Sequence, residues 1–294
     1  MPDTTAGTLR ARLPPDMRAL TDRALDGATR LGASYADVRI VRRRDESIGI
    51  KSGRLEGVAT SETEGFGVRV LVDGAWGFAS SHHLDLDEAD RVAALAVRIA
   101  RASATALRTR VELDGRPSAH GRFETPVVED PFNIPLERKI GHLMEADRAA
   151  GAVRGVTFTE SSYGAQREEK TFAASDGSFT EQVITHIGAA VEANAIEGDE
   201  HQRRSYPDAG GGWAAAGYEY IGGLDLVGNA ERHGEEAVAL LTAPQCASGS
   251  RTIILDPTQL YMQVHESCGH PTEDRKSTRL NSSHIQKSRM PSSA

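Results

Sequence analysis

The chain has 294 residues, 39% hydrophobic and 26% charged, a make-up that buries a real core in one large or two ordinary domains. A formal charge of −8 argues against nucleic acid or an anionic membrane as partner, and no apolar run approaches the length of a membrane span. Two cysteines, Cys246 and Cys268, give no disulfide framework, and the opening "MPDTTAGTLRARLPPDM" lacks the apolar centre of a signal peptide, so a cytoplasmic protein is expected.

Met17, Leu20, Ala24, Ala28 and Leu31 fall at helical spacing within residues 16–32, with Asp16 as cap and Gly32 as stop. "YADVRIVRRRDESIGIK" then alternates as a strand, "SGRLE" supplies a turn, and "GFGVRVLVDGAWGFAS" reads as two strands around Asp73-Gly74. Residues 87–103 form a second amphipathic helix with Asp87 as cap. A polar, proline-bearing linker runs from Val111 to Asn133, and a third helix covers 134–152, with Pro135 near its first turn. Several strands follow, with a turn at Asp176-Gly177. The order of helix then meander repeats, but the residues do not match, which argues against an internal duplication.

"PDAGGGWAAAG" (207–217) reads as a loop, and 224–243 as a helix cut by Gly228 or Gly234. "RTIILDP" reads as a short buried strand, and "TQLYMQVHESCGH" as a helix capped by Thr258. Aromatics make up only 5% of the chain, so Ala, Val, Leu and Ile should fill the core. Residues 275–294 carry six serines, five basic residues and no acid. They resemble vector or adapter read-through, which implies that the natural protein continues past Asp274.

The stretch "QVHESCGHPTE" holds His265, Glu266 and His270 in an HExxxH pattern. Zinc takes three or four N, S or O donors, and a carboxylate beside its bound water can act as base. Five steps along a regular helix turn the second imidazole about 140° from the first. Convergence therefore needs the helix to end near Gly269, or to widen into a π-type turn whose i to i+5 register restores one face. The plain alternative makes His265 a core-edge residue, Glu266 a solvated one and His270 a C-terminal cap. The residues alone leave both readings open. Cys268 reads as a small core thiol, His82-His83 as a surface turn, "DAGGGW" as a linker, and Arg42–Arg44 as a solvated strand edge. No GxSxG nucleophile elbow is present.

"IKSGRLEGVATSETEG", "GFGVRVLVDGAWGFAS" and "VHESCGHPTE", taken in order, resemble the zinc-bearing subunit of the TldD/PmbA family of metallopeptidases. The resemblance runs over most of residues 16–273. It implies that His265 and His270 ligate Zn2+ and that Glu266 serves as base, with the third ligand a cysteine further downstream. It also implies small or unfolded peptides as substrates, and a homodimer or a heterodimer with a metal-free paralogous subunit. The expected fold is α+β: an N-terminal helix-and-meander domain (1–125), then a region (126–274) that ends in the start of an incomplete β-rich metal domain. The expected function is zinc-dependent peptide hydrolysis, with this chain inactive as it stands. The rival is a non-catalytic subunit that holds peptides by strand addition.

Overall fold

The computed structural model describes residues 16–115, 117–208 and 212–272. The basic segment 275–294 and the opening of the chain lie outside the described residues. Two compact units are present, Met1–Thr242 and Ala243–Ala294.

The first unit is α+β. Helix α1 (Met17–Arg30) starts at Asp16, whose carboxylate accepts from the Arg18 amide at 2.9 Å. Strands β1 (Tyr35–Lys51), β2 (Arg54–Val72) and β3 (Ala75–Ser81) follow as an antiparallel meander. At the Asp73-Gly74 turn both residues have positive φ, 53° and 77°, the mirror-image turn whose twist suits a two-residue hairpin. Helix α2 (Leu86–Ala104) closes this half. Then come β4 (His120–Glu124), a 3-10 turn at Pro131–Asn133, α3 (Leu136–Gly151), β5 (Phe158–Ala174), β6 (Phe179–Glu197) and β7 (Glu200–Tyr206). Helices α4 (Glu219–Leu224) and α5 (Leu226–Leu240) complete the unit.

The strands form one sheet in the order β3-β2-β1-β5-β6, with β4 and β7 pairing different stretches of the outer edge of β6. Each half is thus a helix, a three-stranded meander and a closing helical segment, and the halves meet where β1 pairs with β5. The repeat that residue identities argued against is present in the architecture. At its centre Arg44 pairs directly with Arg167, and both guanidinium groups lie over the Phe132 ring, at 4.6 and 5.1 Å.

Strand alternation sends successive side chains to opposite faces. Val38 and Ile40 of β1 join the core under α1 and α2, while Ile48 and Ile50 join the core under α3 and α5. All four are even-numbered, so the helices share one face of the sheet. Alanine, valine, isoleucine and leucine dominate both cores. Each fully buried Val, Leu or Ile stabilises the fold by roughly 1.5–3 kcal/mol relative to exposure.

Two charges sit inside the buried stripe of α3. Lys139 is 2% exposed and pairs with Glu46, and its ammonium lies 5.4 Å from the centre of the Tyr163 ring. Asp147 is 1% exposed and accepts from the Gly53 amide at 2.6 Å, fastening the β1–β2 turn to α3. Burial, with Glu46 nearby, pushes the ionisation of the Tyr163 hydroxyl upward.

Several sequence expectations are corrected. Asp85, not Asp87, caps α2, its carboxylate accepting from the Glu88 amide at 2.8 Å. The 111–133 linker contains β4 and the 3-10 turn, and β4, just inside the expected 125/126 boundary, pairs with β6 beyond it. Arg42–Arg44 lie on β1, a central strand with β2 and β5 on either side, not on a sheet edge. The break near 224–243 falls at Asp225, which adopts φ 49° and accepts from the Gly228 amide, because an Asx side chain both tolerates the left-handed region and caps the next helix. In the second unit 251–256 form no strand, and Ile253 and Ile254 are 75% and 94% exposed. No strand is present among its described residues.

The buried ion pair yields a prediction. Glu46→Ala removes the carboxylate that pairs with the buried Lys139 and should cost about 3–5 kcal/mol of stability. Urea denaturation of the variant against the unsubstituted chain measures this.

Candidate metal centre

In the second unit, α6 (Pro257–Val264) carries the histidine motif into place. Its cap is Asp256 rather than Thr258. The Asp256 carboxylate accepts from the Thr258 amide at 2.9 Å and its hydroxyl at 2.7 Å, bonds that hold this acid below its ordinary pKa. Pro257 takes the first helical position, where a missing N–H costs nothing.

Past Val264 the helix widens. His265–Gly269 form a π turn, and the His270 amide donates to the His265 carbonyl. Of the two backbone routes to convergence, the chain takes the wide turn. The i to i+5 register adds the one residue that α geometry lacks, so His265 and His270 come to the same side. Their ring centroids stand 4.3 Å apart at an interplanar angle of 74°. Glu266 joins them, with its Oε2 3.8 Å from His270 Nε2. One donor atom from each of the three residues lies within 4.8 Å of the others. Among the described residues this is the group of three or more metal-ligating side chains that converges so closely. His265 and Glu266 are exposed and His270 is half-buried, so the cluster is open to water.

The donor set fits zinc in kind. Neighbouring donors in a tetrahedral zinc shell stand about 3.3 Å apart, a separation small side-chain rotations reach from the observed spacing. Cys268 stands outside the cluster and is exposed, not the small core thiol expected; α6 and the turn after it bury no residue that could wall it in. Cys246 is exposed as well. His82 and His83 lie on the turn after β3 with ring centroids 4.0 Å apart at 41°, and they join no converging group of three metal-ligating side chains among the described residues.

The first unit holds a feature that sequence reasoning missed. A cleft of about 650 Å³ opens on the sheet face opposite the helices, floored by Ser47, Ser162, Gly164 and Gly188 and walled by Asp45 and Trp213. Trp213 belongs to the segment read as a linker. An antiparallel bridge between Ile187 and Ala214 fixes it, and the indole is 55% exposed. The signal was a tryptophan after three glycines together with facing glycines in two strands, since Gly164 pairs with Gly188. A β-carbon at Gly164 would stand 2.6 Å from the indole, so only glycine lets the ring come this close to the sheet. Gly164→Val should displace Trp213 and shift its emission to the red, with Trp76 as the unchanged background. A spectrum identical to that of the unsubstituted chain would show that the ring does not rest there.

The family model described as PmbA/TldA metallopeptidase domain 1 matches residues 36–100, and the PmbA/TldA metallopeptidase central domain matches 129–243. Neither match reaches the histidine motif. A metalloprotease of Methanothermobacter thermautotrophicus is 30% identical over 239 residues, which cover 81% of this chain and 50% of that protein. A metalloprotease of Methanocaldococcus jannaschii is 25% identical over 241 residues, covering 81% of this chain and 51% of that one. The chain thus spans about half the length of the curated relatives it matches. Among solved structures, a candidate modulator of DNA gyrase from Bacteroides thetaiotaomicron aligns with TM-score 0.69 and 17% identity, over 88% of this chain and 57% of that one. A Thermotoga maritima protein of the same description gives 0.62 and 17%, over 79% and 50%. At that identity the two show a shared fold alone. No helix among the described residues is long and apolar enough to cross a membrane.

Proposed function

The chain belongs to the PmbA/TldD family of metallopeptidases, and from that premise we propose that it is a zinc-dependent peptidase subunit acting on small or unfolded peptides. The observation that carries the reading is the convergence of His265, Glu266 and His270 on one side of a widened turn. The names of the relatives, metalloproteases in two archaea, support it.

His265 and His270 would hold the metal through their imidazole nitrogens. A bound zinc ion supplies Lewis acidity, which lowers the pKa of water and polarises a carbonyl. Glu266 would take a proton from the attacking water and return it to the leaving amine. It stands beside the histidines without being needed as a ligand, as a base must. A cysteine is the third protein ligand that the resemblance implies. A homodimer, or a heterodimer with a metal-free paralogue, completes the proposal.

A second reading has its own support. Residues 54–64 of β2 are exposed along their whole length, and β3 pairs with β2 only from Phe66 onward. That open edge suits strand addition by an extended peptide, as in a non-catalytic binding subunit.

The two readings separate in a chain of the relatives' full length. Glu266→Gln should leave about one zinc per subunit and lower kcat by roughly 10²–10⁴, whereas His265→Ala should lose metal and activity together. Metal analysis with a peptide-cleavage assay decides. Cleavage that survives Glu266→Gln would remove the base assignment. Metal content and activity that survive His265→Ala would favour the binding subunit.

A further inference from the structure

The wide turn is followed at once by Pro271, which has no amide hydrogen. In a regular ladder the residue at 271 would donate to the carbonyl of Ser267, so the backbone loses a rung immediately after His270. The next residue returns a donor. The Thr272 hydroxyl lies 2.8 Å from the Gly269 carbonyl and 2.9 Å from that of Cys268. Both carbonyls belong to the π turn, between the two histidines. Thr21, Thr29 and Ser103 make the ordinary back-bond, each to one carbonyl in a regular helix. The Thr272 bond instead spans the widened stretch and the 3-10 turn (His270–Thr272) that follows it.

We propose that Thr272 is a positioning residue for the metal centre: its hydroxyl, donating to the Cys268 and Gly269 carbonyls, holds the turn in π register and so keeps His270 beside His265. This role rests on the metal-site reading above. Without the hydroxyl, the turn can tighten to α register, and the second imidazole swings to about 140° from the first. Thr272 touches neither metal nor substrate. It acts only through the backbone that carries His270.

The test is zinc titration by calorimetry of a chain of the relatives' full length, comparing the unsubstituted protein with Thr272→Val, Thr272→Ser and His265→Ala. A lost hydrogen bond of ordinary strength corresponds to a roughly fivefold weakening. Thr272→Val, which keeps the shape of the side chain, should weaken zinc binding by about that factor. Thr272→Ser should restore binding to within about twofold, and the thermal unfolding of the first unit should not move in either variant. Zinc binding by Thr272→Val equal to that of the unsubstituted chain, or failure of Ser to restore it, overturns the positioning role and leaves the metal site standing. No zinc uptake by the unsubstituted chain, or unchanged uptake by His265→Ala, overturns the site and the role with it.

Discussion

The hydrogen bond from the His270 amide to the His265 carbonyl is the constraint on which the histidine pair depends. Two imidazoles five positions apart cannot share an ion on a regular helix, where they diverge by about 140°. One extra residue in the turn removes that divergence. Widened turns are rare in helices and tend to mark functional sites, because the register is less favourable than α and needs support from its surroundings. Here the support is local: an Asp256 cap below, Pro271 interrupting the ladder above, and the Thr272 hydroxyl on the carbonyls between. A β-carbon at Gly269 would stand 3.8 Å from His265 Nδ1, an ordinary contact, so the support for the wide turn does not depend on glycine at that position.

The first unit follows a different logic, in which the helices of its described residues share one face of a long sheet. The two apolar cores lie at either end of β1, and charge occupies the middle. There Arg44 and Arg167 flank Phe132, and Arg167 is held by Asp130 at 3.0 Å. A sheet built from two similar halves meeting at paired strands places like residues together at the junction. Two arginines face each other there, and an aromatic ring with nearby carboxylates offsets their repulsion. On the opposite face, facing glycines and small polar residues make room for the Trp213 indole.

Much of this was legible in the sequence, and the exceptions share physical causes. The Asp73-Gly74 hairpin, α1 and α3 followed from turn chemistry and apolar spacing. The first half of β2, "RLEGVATSETE", did not, because an edge strand exposed on both faces carries no alternating pattern to read. The break at Asp225 was misplaced onto glycines, since Asx residues also reach the left-handed region. "RTIIL" was apolar enough for a buried strand, yet burial depends on what covers a segment, and that is not a property of the segment itself. Lys139 and Asp147 could have been flagged, because both interrupt the apolar stripe of α3 and a charge in a buried stripe implies a partner. The HExxxH spacing stated the geometric problem of the site clearly. Its solution needed backbone coordinates, because spacing alone could not choose between an ended helix and a widened one.

The claim that His265 and His270 act on one ion is tested most directly by X-ray absorption at the zinc edge of a zinc-loaded chain of the relatives' full length. The account predicts two imidazole nitrogens per zinc at about 2.0–2.1 Å, with the outer-shell scattering that only rigid rings produce. A spectrum with one imidazole or none, or with oxygen donors alone, would contradict it.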